Sequence, residues 1–233
     1  MKHFWLTTLL FAFVVKVSCQ QVHAAASAHT SFTNPDSVLA LLKVGNNEFI
    51  QGKFDVHGID SSLRISISAE QHPKAVILTC SDSRVPPEFI FDKGLGDLFV
   101  IRVAGNISDD AVVASIEYAV EHLHTSLVVV MGHKNCGAIG AAVADLQHPE
   151  QKIDNHVRIL TDKIEQAITT VNLNEQDLTK KALLSNIMFT VATLNDSRPV
   201  LSEAVKKGDV KIVGALYDLT TGKVDWLENK SGK

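Results

Sequence analysis

Two short runs in the chain, Ala75–Thr79 (AVILT) and residues 127–131 (LVVVM), carry no charge and show no alternation of apolar and polar residues. A strand with one wet face alternates. A strand that does not alternate is covered on both sides, as in a parallel sheet between layers of helices. The surrounding sequence agrees. Residues 97–103 (DLFVIRV) read as a further strand. Residues 109–124 place Val112, Val113, Ile116, Ala119, Val120 and Leu123 at helical spacing. Residues 210–217 and 224–227 read as late strands joined by a turn at Thr220, Thr221 and Gly222. Helices are expected from Asn34-Pro35-Asp36 onward, with Leu39, Leu41, Leu42, Phe49 and Ile50 as apolar positions, and over 138–146, 153–171, 178–194 and 199–207. Residues 51–73 are polar and read as loop with a short helix. Gly132 reads as the end of the LVVVM strand, and Gly132, Gly137 and Gly140 as positions for tight turns and close helix approach. Strands separated by helices give an α/β fold with a mainly parallel sheet flanked by helices.

The beginning of the chain follows a different grammar. Met1-Lys2-His3 is a basic start, and Phe4 to Val15 is an apolar run closed by Lys16. That run is shorter than the roughly 20 residues needed to cross a bilayer. Val22 and Ala24 then stand at the −3 and −1 positions of a cut before Ala25. The expectation is a signal peptide over 1–24, a flexible leader over 25–34 and a single domain over 35–233. Cys19 as a lipid anchor is disfavoured, because Lys16 occupies the place where an aliphatic residue is usual. Export points to a bacterial periplasm. With 45% hydrophobic and 21% charged residues the chain is ordinary globular protein. Its net charge of −4, without a run of five like charges, excludes a nucleic-acid or polybasic membrane surface. Beyond residue 24 no apolar stretch is long enough to span a membrane.

In a sheet of this kind reactive residues collect beyond the carboxyl ends of strands. One such end is Cys80-Ser81-Asp82-Ser83-Arg84. Another is Gly132-His133-Lys134-Asn135-Cys136-Gly137. Two thiolates and an imidazole suit zinc, and three protein ligands leave one tetrahedral position for water, the pattern of a catalytic site. A Cys80–Cys136 disulfide is the competing reading, since an exported protein permits one. A phosphatase-type cysteine would need a longer anion-binding loop than Cys80 to Arg84. His122, His124, His148 and His156 read as surface residues.

Cys80-Ser81-Asp82-Ser83-Arg84 after one apolar strand, with Gly132-His133-x-x-Cys136-Gly137 after another, resembles the β-class carbonic anhydrases. Gly45-Asn46 followed by Phe49 is similar to the early helix motif of that family. The resemblance runs from about Leu41 to Leu227. It implies a mostly parallel four- to five-stranded sheet, a homodimer or a tetramer of such dimers, and one zinc held by Cys80, His133 and Cys136. The reaction it implies is reversible hydration of carbon dioxide to bicarbonate. By position, Asp82 and Arg84 match the catalytic dyad. Gln71, Phe99, Tyr118 and Gly137 are the candidate substrate contacts, in a pocket to which the partner chain contributes in those relatives. One subgroup with an inhibitory bicarbonate site has tryptophan three residues before the first cysteine. Here Ile77 stands there, which points to the plant-like, non-allosteric subgroup.

Zinc lowers the pKa of bound water, and two thiolates weaken that effect relative to three histidines. Attack by zinc-bound hydroxide therefore calls for help. Asp82 can orient the bound water, and Arg84 can hold Asp82 by a bidentate contact and off the metal. Hydrolysis of carbonyl sulfide or carbon disulfide at the same centre, and an exported zinc-binding protein without catalysis, are the alternative functions.

Overall fold

The computed structural model describes residues 33–53, 59–152, 154–173 and 176–227. The segment 1–24 read as an export signal, and the leader up to residue 32, lie outside the described residues. Five strands, β1 (Ala75–Thr79), β2 (Leu98–Arg102), β3 (Leu127–His133), β4 (Lys211–Tyr217) and β5 (Val224–Leu227), form one sheet in the order β2-β1-β3-β4-β5. The first four are mutually parallel, and β5 returns antiparallel on β4. The helices are α1 (Pro35–Ile50), α2 (Ser61–Ser66), α3 (Pro87–Ile90), α4 (Asp110–Leu123), α5 (Gly137–Gln147), α6 (Arg158–Ile168), α7 (Leu178–Asp196) and α8 (Val200–Lys207). Among the described residues no helix is long and apolar enough to cross a membrane.

Every residue of β1 and β3 is buried. Successive side chains point to opposite faces. Val76, Leu78, Val128 and Val130 pack with Ile116 of α4, Ile139 of α5, Ile164 of α6 and Ile187 of α7. Ala75, Ile77, Val129 and Met131 pack instead with Val38 and Leu42 of α1 and with Phe91. Two cores, one on each side, are why neither run alternates.

The Gly45-Asn46 pair holds α1 in place. Asn46, 4% exposed, donates to the carbonyls of Ile90 at 3.1 Å and Gly222 at 2.8 Å, and accepts from the Val224 amide at 2.9 Å. A Cβ at position 45 would stand 1.8 Å from the Phe91 carbonyl oxygen, so only glycine lets the helix sit this low. The pair ties α1 to the end of α3 and the β4–β5 turn. At the start of α1, the Asn34 side chain accepts from the amides of Asp36 and Ser37, the cap its position suggests.

Several boundaries differ from expectation. Gly132 does not end β3, which continues through His133. Its lack of a side chain admits α7: a Cβ there would meet Ile187 Cδ1 at 2.7 Å and Leu183 Cδ1 at 3.0 Å. Nothing approaches the Cβ position of Gly137 or Gly140, so close helix packing is not what those glycines serve. The helix expected over 153–171 occupies only Arg158–Ile168, because Asn155 Oδ1 captures the Val157 amide in a local turn. Helix α4 stops at Leu123, where His124 adopts the left-handed conformation at φ 54. The short α3 has no counterpart in the sequence reading.

From β1 the chain moves outward to β2, then crosses back to place β3 on the other side of β1. That reversal opens a crevice beyond the carboxyl ends of β1 and β3. The three bonds of Asn46 give a first prediction. Asn46→Ala leaves buried carbonyls and an amide unpaired and lowers stability by about 2–4 kcal/mol, read as a fall in the urea unfolding midpoint. An unchanged midpoint would show that α1 is held by its apolar face alone.

Candidate metal centre

Cys80 follows β1 directly, His133 ends β3, and Cys136 is the N-cap of α5. Thr79 lies opposite Met131 in the β1–β3 pairing, so the two turns open side by side. The Lys134 amide bonds to the Tyr217 carbonyl at 2.9 Å, and Asn135 then reverses the chain at φ 56 to return Cys136 toward His133. One donor atom from each of Cys80, His133 and Cys136 lies within 4.8 Å of the others, and all three residues are buried. The two sulfurs are 3.9 Å apart and both cysteines are free. A disulfide requires about 2.05 Å, so the competing crosslink is not formed. Two sulfurs sharing one tetrahedral zinc at about 2.3 Å each would stand about 3.8 Å apart.

The imidazole supplies a second test of fit. His133 Nδ1 lies 2.9 Å from the Lys134 carbonyl, which assigns the ring proton to Nδ1 and leaves Nε2 as a lone pair. That Nε2 is buried and has no hydrogen-bond partner among the described residues. An orphaned buried acceptor costs about 1–3 kcal/mol. A cation bound between it and the sulfurs would satisfy it, so the donor set fits zinc.

The sulfurs divide their protons unequally. The hydrogen bond with Cys136 pulls the Cys80 thiol down against the cost of burial, helped by His133 and by the Gly105 amide 3.4 Å from the sulfur. The Cys80 thiolate and burial push Cys136 up, while the amides of Ile139 and Ala138 at the start of α5 pull it partly back. Burial opposes charge on His133, but Cys80, the Lys134 carbonyl and Asp82 outweigh it and raise its pKa.

Asp82 and Arg84 form a fork. Oδ1 accepts from the Arg84 amide and Nε, each at 2.9 Å, and Oδ2 accepts from Nη2 at 2.7 Å. Hydrogen bonding by Arg84 holds the Asp82 carboxyl far below the usual carboxylate range. Oδ2 lies 3.8 Å from His133 Nε2. With Arg84 58% exposed, the pair is worth little to stability. Its placement beside the ligand atom is what distinguishes it. Arg102, absent from the sequence-based candidates, ends β2 and donates Nε to the Cys80 carbonyl at 3.2 Å and Nη2 to the Asp82 carbonyl at 2.6 Å. The one visible signal was a cation closing an apolar strand at the reactive sheet edge.

Gln71, Phe99 and Tyr118 are not brought to the centre within one chain, whereas Gly137 adjoins it. Gln71 is exposed in the loop that enters β1, at the opposite end of that strand from Cys80. Phe99 pairs with Val76, four residues before Cys80 and about 13 Å back along the sheet at about 3.3 Å per residue. Tyr118 on α4 is 48% exposed, with its ring 6.4 Å from Phe99 and 5.0 Å from His122. Gly137 is exposed immediately after Cys136.

The family model described as carbonic anhydrase matches residues 75–224. Carbonic anhydrase 2 of Mycobacterium tuberculosis is 39% identical over 194 residues, covering 82% of this chain and 92% of that protein. A carbonic anhydrase of Mycolicibacterium smegmatis is 35% identical, covering 83% and 93%. Among solved structures, Coccomyxa β-carbonic anhydrase in complex with acetazolamide superposes with a TM-score of 0.64 at 27% identity, covering 72% of this chain and 78% of that one.

Thiol ligands must lose their protons to bind a metal, which makes binding pH-dependent. Loading zinc onto metal-free protein at pH 7 is expected to release protons, because thiol ligands bind as thiolates. Calorimetry in two buffers of different ionisation enthalpy reads this directly. Affinity should fall as pH falls, because protons return to the same atoms. Zinc uptake without proton release would contradict ligation by Cys80 and Cys136 thiolates formed from thiols.

Proposed function

The chain belongs to the β-carbonic anhydrase family, and from that premise we propose that its Cys80–His133–Cys136 centre, working with the Asp82–Arg84 pair, hydrates carbon dioxide reversibly to bicarbonate and a proton. β-Carbonic anhydrases use zinc, and Cys80, His133 and Cys136 are positioned to bind it. The observation that carries the reading is the buried Nε2 of His133, without a hydrogen-bond partner among the described residues, beside two sulfurs 3.9 Å apart. Zinc held there supplies Lewis acidity that makes water nucleophilic near neutral pH, tempered by two thiolate charges.

The protein groups do the orienting. Asp82 is ionised and can only accept hydrogen bonds, so it takes one from the reacting water and turns a water lone pair toward carbon dioxide. Arg84 occupies both carboxylate oxygens, which fixes that direction and keeps Asp82 from becoming a ligand itself. Arg102 holds the backbone of the same loop through two carbonyls.

Gln71, Phe99 and Tyr118 are assigned to the pocket of a second copy, as in relatives whose pocket is completed by the partner chain. The partly exposed apolar residues Leu98–Ile101 on edge strand β2, together with exposed Phe89 and Tyr118, support a homodimer. Ile77 is fully buried among apolar neighbours, in keeping with a form that lacks bicarbonate inhibition. Residues 1–24 are assigned as an export signal. A mature periplasmic protein whose mass begins at Ala25 would bear this out, and an intact amino terminus in the cytoplasm would refute it.

Arg84→Ala should retain zinc and lose about a hundredfold or more in hydration rate, measured by stopped-flow alongside metal content. Near-normal turnover would remove the pair from the mechanism. In the native protein, hydration should climb from pH 7 toward pH 8.5. Asp82, held ionised, cannot produce that climb, so a flat profile would sink the thiolate-tempered centre.

A further inference from the structure

We infer that Asn186 of α7 is a positioning residue for the metal centre, acting on the Cys80 sulfur through Gly105. Asn186 is 1% exposed and donates Nδ2 to the Gly105 carbonyl at 2.8 Å. The Gly105 amide in turn donates to Cys80 Sγ at 3.4 Å. One residue therefore faces the ligand with its N–H and the helix with its C=O.

The turn that makes this possible is unusual. Gly105 and Asn106 are both left-handed, at φ 75 and 45. The Asn106 amide returns to the Val103 carbonyl at 2.9 Å and closes the turn. A left-handed conformation at a non-glycine residue persists only where its surroundings enforce it. Gly105 is also wedged: a Cβ there would stand 2.8 Å from Ile164 Cδ1 and 3.3 Å from Ala138 Cβ. Asn186 fixes the following peptide plane, and the Gly105 torsions carry that orientation to the amide that meets sulfur.

Helix α7 is a firm base for this reach. Leu183 and Ile187 press against Gly132, one residue before the ligand His133. The helix is thus registered to β3 on the same stretch from which it extends Asn186 to the turn after β2. A hydrogen bond to a ligand sulfur reduces the charge it donates to a metal and fixes its direction. Partners of this outer kind typically govern 10–100-fold in metal affinity.

The inference rests on the zinc reading of the centre, and the test separates the two. Asn186→Ala and Asn186→Leu remove the donor, the second with little change in size. Each should weaken zinc binding about tenfold in chelator competition and shift the sulfur-to-metal charge-transfer band of the cobalt-substituted protein. Val191→Ala, on the same helix and 1% exposed, should lower the melting temperature while leaving affinity and band unchanged. If Asn186→Ala does not fold, Asn186→Leu supplies the same comparison. Native affinity and band in the Asn186 variants, or changes matched by Val191→Ala, would overturn the role. A native protein that binds no zinc would instead fail the reading beneath it.

Discussion

The parallel pairing of β1 with β3 is the constraint from which the rest follows. It sets Thr79 opposite Met131, so the turns carrying Cys80 and the His133–Cys136 pair leave the sheet at the same level. Because the order in which strands are added to the sheet reverses between these two, no crossover covers the place where they end. Everything else at that edge is support. Arg102 ties down the Cys80–Asp82 backbone from β2, and α5 begins on Cys136. Slipping the β1–β3 register by one residue would invert both cores and separate the ligands.

Charge explains why the centre is built as it is. Two thiols and an imidazole buried together are poor company without a cation, and the unequal pull on Cys80 and Cys136 is the response of a pair able to hold one negative charge between them. The carboxylate belongs to a separate arrangement. Arg84 engages both oxygens and leaves one lone pair of Oδ2 open, so Asp82 stands beside the ligand atom of His133, held in place by its partner.

The sequence was most readable where one physical cause acts locally. Double burial erased alternation in AVILT and LVVVM, and soft ligands directly after those runs marked the reactive edge. The Asn34 cap and the strands near the carboxyl end were legible for the same reason. What was hidden depends on register and on distant side chains. Gly132 looks like a strand terminator in a linear reading, and only Ile187 and Leu183 reveal it as a landing place for α7. Arg102 and Gly105 acquire their roles from lying opposite Thr79 and beside Cys80, which no spacing announces. The helix forecast over 153–171 gave way at Asn155, whose side chain offers the backbone a better local bond.

That the ligands come from two strands with a whole crossover between them bears on how the protein is made. In the unfolded chain only the His133–Cys136 half of the donor set is local. A lone half-site binds a metal weakly, and Cys80 joins it only when the non-local strand pairing closes. An ion that needs all three donors would therefore be bound once the β1–β3 pairing has closed. It would fasten that fold by mass action, in contrast to small zinc modules, which are unfolded until the metal arrives.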